Sequence, residues 1–334
     1  MRTVDVVIPT YQPGQKLLQL LDQLSKQTVP VNKIILMNTE EKYFDRFIYG
    51  TAFNEKYKNV VVYHCSKKEF DHGNTRNRAV KHSSSDFVVM MTQDAVPKDS
   101  FLLEKLLKPL LEYDDVVVSY ARQLPNADCR AIESYTRSFN YPEKSCIKSW
   151  GDLDRLGIKT FFCSNVCAAY KREAFLELGG FVKHTIFNED MIFAATAMKA
   201  GKRVAYAADA LVVHSHNYTA GQQLKRNFDL GVSQADHPEV FSVVRSESEG
   251  LKLVRRTAAF LREKHLVGQI PVLYVHSACK YIGYRLGRHY KKLPKRLILK
   301  LTSNPDYWRQ YQMKKDVSSI DATKGYGRNL EKER

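Results

Sequence analysis

Short apolar runs alternate with amphipathic stretches through the first two thirds of this chain. Val4–Ile8, Lys33–Met37, Val60–Tyr63, Phe87–Met91 and Val116–Tyr120 read as buried strands, the first closed by Pro9. Leu17, Leu18, Leu21 and Leu24 recur at helical spacing, residues 43–57 predict a second helix, and Asn74 to His82 a short third. Such alternation argues for a parallel sheet with helices on its faces. A helix after Arg172 is expected to stop at Gly179-Gly180, and one after Asn188 at Gly201, because glycine accepts the left-handed conformation that ends helices. Arg203–Tyr206 and Leu211–Val213 predict two short strands. Residues 121–160, rich in aromatics and charge, predict an irregular insertion of the kind that carries a site. From about residue 220 the sheet pattern gives way to helical, basic sequence, and 312–334 is polar enough to fray.

Composition bounds this picture. A chain of 334 residues, 44% hydrophobic with a mean hydropathy of −0.40, supports one large core, or one domain with an appendage. The change of pattern divides it into a domain at 1–245 and a basic helical region at 246–334. No uninterrupted apolar run reaches the ~18 residues of a spanning helix, and residues 1–10 lack the features of a signal peptide. The six cysteines have no framework spacing, which points to buried reduced thiols and a cytoplasmic setting, with a metal site at Cys163 and Cys167 as the second reading. Charge is placed unevenly. Residues 251–334 hold 20 of the 52 basic and 6 of the 36 acidic side chains, a net of +14 against +2 for all the rest. That asymmetry suggests an anionic surface as partner, nucleic acid or phospholipid.

Five segments carry candidate chemistry. Asp94 stands just past the buried strand at 87–91, with Pro97 expected to stop the sheet there, and ligands collect at the carboxyl ends of strands in open α/β sheets. It reads either as a solvated loop aspartate or as a ligand for a divalent cation. Pro9-Thr10-Tyr11-Gln12 follows the first strand, where a base or ribose would lie. Phe70-Asp-His-Gly-Asn-Thr-Arg76-Asn77 enters a helix whose N-terminus, with Arg76, favours a diphosphate. Glu189 and Asp190 open an apolar helix, as dipole matching or acid–base chemistry would each place them. His214 ends the strand at 211–213, either as a core histidine or, with Asp94 and two phosphate oxygens, as part of a shell for Mg²⁺ or Mn²⁺.

The order of VVIPTY, Gly73-Asn-Thr-Arg-Asn77, the Asp94 loop, SNVCAAYKREAFLELGGF, Asn188-Glu-Asp190 and Val212-Val-His-Ser-His216 resembles the inverting family 2 glycosyltransferases of the GT-A fold. TQDA, ARQLP and FNYPEKS resemble bacterial rhamnosyltransferases that use dTDP-L-rhamnose. The likeness runs from residue 1 to about 245. It implies a mainly parallel, Rossmann-like sheet with a basic helical extension, and the following roles. Asp94 matches the metal-binding aspartate of a D-x-D motif, with Thr92 where its first aspartate would be, and His214 helps hold the metal or diphosphate. Asp190 matches the catalytic base. Pro9, Thr10, Tyr11, Arg76, Asn77 and Gln93 join Asp94 around the nucleotide sugar, and Arg122, Asn165 and Glu189 lie on the acceptor or substrate side. Asn38-Thr39-Glu40 replaces the acidic loop usual after the second strand. In a single displacement an ionised Asp190 takes the acceptor's proton, while Arg76 and the metal meet the leaving diphosphate.

The expected partners are therefore a nucleotide-sugar donor, a lipid-linked glycan acceptor and the anionic inner face of a membrane, with no nucleic acid. Leu251-Lys-Leu-Val-Arg-Arg, Tyr281-Ile-Gly-Tyr-Arg-Leu and Lys291-Lys-Leu-Pro-Lys-Arg interleave apolar and basic residues as interfacial helices do. A nucleic-acid-binding tail would use the same cations on a phosphate backbone, but leaves the carboxylates of the nearly neutral part unexplained. A non-catalytic nucleotide-sugar binder would keep the sheet and not need Asp190.

Overall fold

A computed structural model describes residues 2–243 and 247–309; the segment expected to fray lies outside them. Nine strands form one sheet: β1 Val4–Tyr11, β2 Lys33–Thr39, β3 Val60–Cys65, β4 Phe87–Met91, β5 Val96–Pro97, β6 Val116–Leu124, β7 Cys146–Lys148, β8 Cys167–Lys171 and β9 Arg203–Val213. Their order is β3-β2-β1-β4-β8-β6-β9-β5, with β7 also on β9. The N-terminal half is parallel, as the alternation implies. β8 then enters antiparallel to both β4 and β6, and β9 returns parallel to β6.

Successive residues of the central strands face opposite ways, and both faces are covered. Val4, Val6, Ile8, Val89 and Met91 belong to one core, and Val7, Val88 and Met90 to the other. A strand buried on both sides reads as a continuous apolar run, which is why these were visible in the sequence. Other expectations are corrected. The helix at 43–57 is two, Glu41–Ile48 and Phe53–Lys56, parted around Gly50. The strands at 203–206 and 211–213 are one, whose register against β6 shifts at Ala121/Arg122. The insertion at 121–160 is ordered, with helix Ala131–Asn140 and β7 inside it. Pro97 does not stop the sheet. It lies in β5, the edge strand, where a missing N–H is tolerated.

The C-terminal helices are packed onto the rest. Helix Ala220–Asp236 crosses helix Ile270–Arg288 at three glycines: a Cβ on Gly231, Gly283 or Gly287 would fall 2.0–2.4 Å from a carbonyl oxygen of the facing helix. Phe228, Val232, Tyr290, Ile298 and Trp308 make a satellite core beside this crossing. Among the described residues no helix is long and apolar enough to cross a membrane.

Candidate active site

Two side-chain clusters form at the carboxyl end of the sheet. The first depends on the two-residue strand β5. Its antiparallel pairing, Val96 with Val213 and Pro97 with Val212, draws the loop after β4 against the end of β9. Asp94 Oδ1 thereby comes within 3.6 Å of His214 Nε2, and Asp94 Oδ2 within 3.2 Å of His216 Nε2. The two Nε2 atoms are 3.1 Å apart, and one donor atom from each of the three residues lies within 4.8 Å of the others. His216 was not singled out from the sequence. The signal was its i, i+2 spacing from His214, since alternate residues of an extended chain share a side.

The geometry also fixes which nitrogen of His214 is free. Its Nδ1 faces Gln123 Oε1 at 3.1 Å, and Arg137 Nη1 donates to that same oxygen at 2.5 Å. A guanidinium can only donate, so the atom it meets must be the amide oxygen, and His214 must present Nδ1–H to it. The Nε2 lone pair then points at Asp94 and His216. Burial, the largest influence, pushes the His214 pKa down to about 3, so this imidazole stays neutral. Neutral imidazole with its second nitrogen held by an oxygen acceptor is the arrangement metal-binding histidines require. The residues fit a divalent cation.

The second cluster surrounds Glu189 and Asp190 at the start of helix Glu189–Lys199, after Asn188 in the left-handed conformation. Glu189 is 6% exposed and pairs through Oε1 with Arg76 Nη1 at 3.1 Å. Asn165 donates its Nδ2–H to Glu189 Oε1 at 3.1 Å and its backbone N–H to Asp190 Oδ2 at 3.0 Å, while Tyr170 O–H donates to Asn165 Oδ1 at 2.7 Å. Burial alone would raise the Glu189 pKa, but Arg76 and then His72 outweigh it and hold the carboxyl below its ordinary value. Asp190 goes the other way. It keeps some exposed surface, yet burial, followed by the charge of Glu189, pushes it up to about 7. The helix start does not offset an adjacent carboxylate in so enclosed a place, so the ionised Asp190 expected from the sequence forms only near neutral pH. The segment Ser164–Val166 joins the clusters, since Gln123 Nε2 donates to Ser164 Oγ at 3.0 Å and Thr92 N–H to Val166 O at 3.2 Å.

Several other expected contacts are spent within the protein. Arg76 is 5% exposed and committed to Glu189 and to the His72 carbonyl at 2.8 Å, so it is not an open cation for a diphosphate. Asn77 clamps the Phe181 backbone with both ends of its amide. Gln93 does the same to Tyr11, donating to its carbonyl at 2.9 Å and accepting from its N–H at 3.1 Å. Asn165 has both polar ends engaged within the carboxylate cluster. Pro9 lies within β1; Thr10 at its end is buried and donates to Asn38 Oδ1 at 3.2 Å. The Tyr11 ring stands edge-on to Tyr43 beside Lys67. Arg122 pairs with the exposed Glu143 at 2.8 Å. Gly73 is needed where the chain enters helix His72–Lys81, because a Cβ would meet the Val182 carbonyl at 2.0 Å. The six cysteines are free, and burial pushes the Cys163 thiol up to about 12.

Arg226, absent from the sequence reading, is an exposed cation beside the first cluster. Its guanidinium lies 4.7 Å from the Phe187 ring and 5.5 Å from the Tyr218 ring, and Tyr218 in turn lies 5.2 Å from His216. It is exposed, has no ion-pair partner among the described residues, and its charge reaches His72, His214 and His216.

The family model described as Glycosyl transferase family 2 matches residues 5–179. The O-antigen chain rhamnosyltransferase RfbN of Salmonella typhimurium is 36% identical over 320 residues, 94% of this chain and 99% of that protein. WbaN of Salmonella anatum, with the same descriptive name, is 37% identical over 322 residues, covering 95% and 100%. Among solved structures, a mannosyltransferase of Pyrobaculum calidifontis in complex with GDP-Man and Mn²⁺ superposes with a TM-score of 0.57 over 87% of this chain and 88% of that one. At 15% identity that likeness speaks for the fold alone, GT-A with a helical extension. On the family match and the two full-length relatives, the chain belongs to glycosyltransferase family 2.

Proposed function

We propose that this glycosyltransferase moves L-rhamnose from dTDP-L-rhamnose, with inversion, onto a lipid-linked glycan at an anionic membrane surface. The sugar and product class rest on the two Salmonella enzymes, which are named for rhamnosyl transfer to the O-antigen chain. The observation that carries the chemistry is the opposite bias of two adjacent carboxylates. Glu189 is held ionised by Arg76, and Asp190 is held near neutrality. Neighbouring groups whose environments drive their pKa values apart mark acid–base work. Asp190 takes the proton of the acceptor hydroxyl as that oxygen attacks the anomeric carbon. Glu189, engaged by Arg76 and Asn165, is not available as a nucleophile, so a single displacement inverts the centre.

Asp94, His214 and His216 would hold a divalent cation, which supplies positive charge against the departing diphosphate. Two imidazoles beside one carboxylate favour Mn²⁺ over Mg²⁺, which prefers an all-oxygen shell and keeps its waters. Arg226, oriented by Phe187 and Tyr218, adds a fixed charge on the same side, the part the sequence assigned to Arg76. Donor turnover across dTDP-L-rhamnose, UDP-galactofuranose, UDP-N-acetylglucosamine and GDP-mannose tests the assignment. The rhamnose donor is expected to lead by more than about 100-fold, the discrimination available to a site built on hydrogen bonds. Equal turnover of another donor sinks it.

The membrane part rests on the outer face of helix Ile270–Arg288. Tyr274, Val275, Tyr281 and Ile282 recur there as one stripe, each about half exposed (49–55%). Lys291, Lys292, Lys295 and Arg296 follow, all exposed. Apolar side chains beside a cationic run suit an anionic leaflet. Reversing those four cations to Glu is expected to release the protein from phosphatidylserine-containing vesicles, since each basic residue near such a surface contributes about 1 kcal/mol. Unchanged co-sedimentation, or preference for single-stranded nucleic acid over vesicles, removes the membrane from the reading.

A further inference from the structure

A small cleft of about 60 Å³, open to solvent on one side, lies between helix Ala131–Asn140, the start of helix Ala220–Asp236 and the first half of helix Ile270–Arg288. Its walls include Arg130, Glu133, Tyr218, Gln223, His276 and Lys280. Its charges do not balance. Glu133, the carboxylate of the lining, is bound by Arg137 at 2.9 Å, with both side chains largely buried. Arg130 and Lys280 have no carboxylate within ion-pair distance among the described residues, and no hydrogen bond occupies the Lys280 ammonium or the Arg130 guanidinium there. His276 lies close enough to feel both charges.

Cations crowded into a partly enclosed space repel one another and lose hydration. Lys280 shows this: burial, its largest influence, lowers its pKa, and Arg137 adds to the effect against the opposing pull of Glu133. An oxyanion with several acceptor oxygens would relieve both penalties, and Arg with Lys is the donor set that phosphate groups select. Location narrows the source. Asn217 and Tyr218 line the cleft directly after His214 and His216, so it opens beside the metal cluster. The donor's own diphosphate belongs to that cluster and to Arg226, which leaves the cleft for an anion brought by the other substrate.

We propose that this cleft holds the phosphate or diphosphate group of the acceptor's lipid carrier, so that the glycan extends from it toward Asp190. The proposal rests on the lipid-linked reading above and gives that acceptor its anchoring site. The membrane-facing stripe belongs to the same helix as His276 and Lys280, and a helix with its side chains is only about 10–12 Å across. A carrier chain leaving the cleft therefore has a short path to the leaflet.

The test uses the full chain in EDTA, so that no metal draws a diphosphate to the donor site, with farnesyl diphosphate and inorganic pyrophosphate as probes. Wild-type protein is expected to bind farnesyl diphosphate, and Arg130→Gln/Lys280→Gln to bind it at least tenfold more weakly. Binding of dTDP with Mn²⁺, measured on the same preparations after removal of EDTA, is expected to be unchanged and reports that the variant is folded. Arg130→Gln alone, at an exposed position, gives a second variant with a partial loss. Farnesyl diphosphate binding that is absent from wild type, or equal in the variants, overturns the cleft assignment. Equal affinity for pyrophosphate and farnesyl diphosphate, both lost in the double variant, keeps an anion site and overturns the lipid carrier as its occupant. If dTDP-L-rhamnose proves a poor donor while the cleft still discriminates these variants, the donor reading has failed and the cleft stands.

Discussion

Asp190→Asn is expected to lower turnover by roughly 10²–10⁴-fold while nucleotide binding persists, because the amide keeps the shape and hydrogen-bonding reach of the carboxyl but accepts no proton. Wild-type turnover should rise with pH through about 7, as the enclosed Asp190 ionises, and the variant should lack that limb. Stability carries the same signature with a defined sign. A carboxyl whose folded pKa lies above its ordinary value binds its proton more tightly in the native state. Native stability therefore declines as pH rises from about 4 towards 7. Asn removes that penalty, so the variant should melt a few degrees above wild type at pH 8, each 1 kcal/mol being worth about 1–2 °C in a chain of this length. Near-normal transfer by Asp190→Asn would reassign the base. A turnover loss with no gain in melting temperature would leave the base in place and show that Asp190 is less enclosed than its surroundings indicate.

Asp94→Ala should weaken cation-dependent nucleotide binding by at least about 100-fold, more than the 10–100-fold typical of losing an outer-shell partner. It removes the carboxylate of the three-residue cluster and leaves two imidazoles, which hold Mn²⁺ poorly without it. Asp94→Asn should be nearly as damaging, since volume is kept and charge is lost. Gln123→Ala should sit between these and wild type. It frees the His214 ring to turn and takes one acceptor from Arg137, which keeps its pairing with Glu133, while leaving the three donor atoms in place. Titration calorimetry of dTDP with and without Mn²⁺ distinguishes the cases. Unchanged cation-dependent binding in Asp94→Ala would move the metal elsewhere.

How much of this was legible in the sequence depended on whether a residue's partner is near in the chain. The buried strands announce themselves as apolar runs, and Asp94, Asp190 and His214 stand at element ends where chain reversal is easy to see. β8 escaped because Cys167–Lys171 is short and pairs antiparallel with strands 80 and 50 residues away, a pairing no local pattern encodes. The contacts of Asn77, Gln93 and Asn165 were hidden for a related reason. An amide in a site motif looks like a ligand contact until the backbone it clamps is known. Sequence cannot tell a buried guanidinium such as Arg76, fixed on Glu189, from an exposed one such as Arg226, resting on two rings. Helix Leu102–Glu112 was passed over, although Leu102, Leu103, Leu106, Leu107 and Leu110 follow a helical period.

The glycine crossing between helices Ala220–Asp236 and Ile270–Arg288 has a mechanical consequence. Where side chains separate two helices, their spacing can drift as rotamers change. Here carbonyl oxygens of Leu224, Phe228 and Tyr284 abut glycine backbone, and main-chain atoms have no rotamers to exchange. The separation works as a gauge block. Tyr218, Gln223 and Arg226 are referenced to one side of it, and His276 and Lys280 to the other. The width of the cleft between them is therefore set by backbone van der Waals contact instead of by the momentary arrangement of side chains, and it should change little on warming.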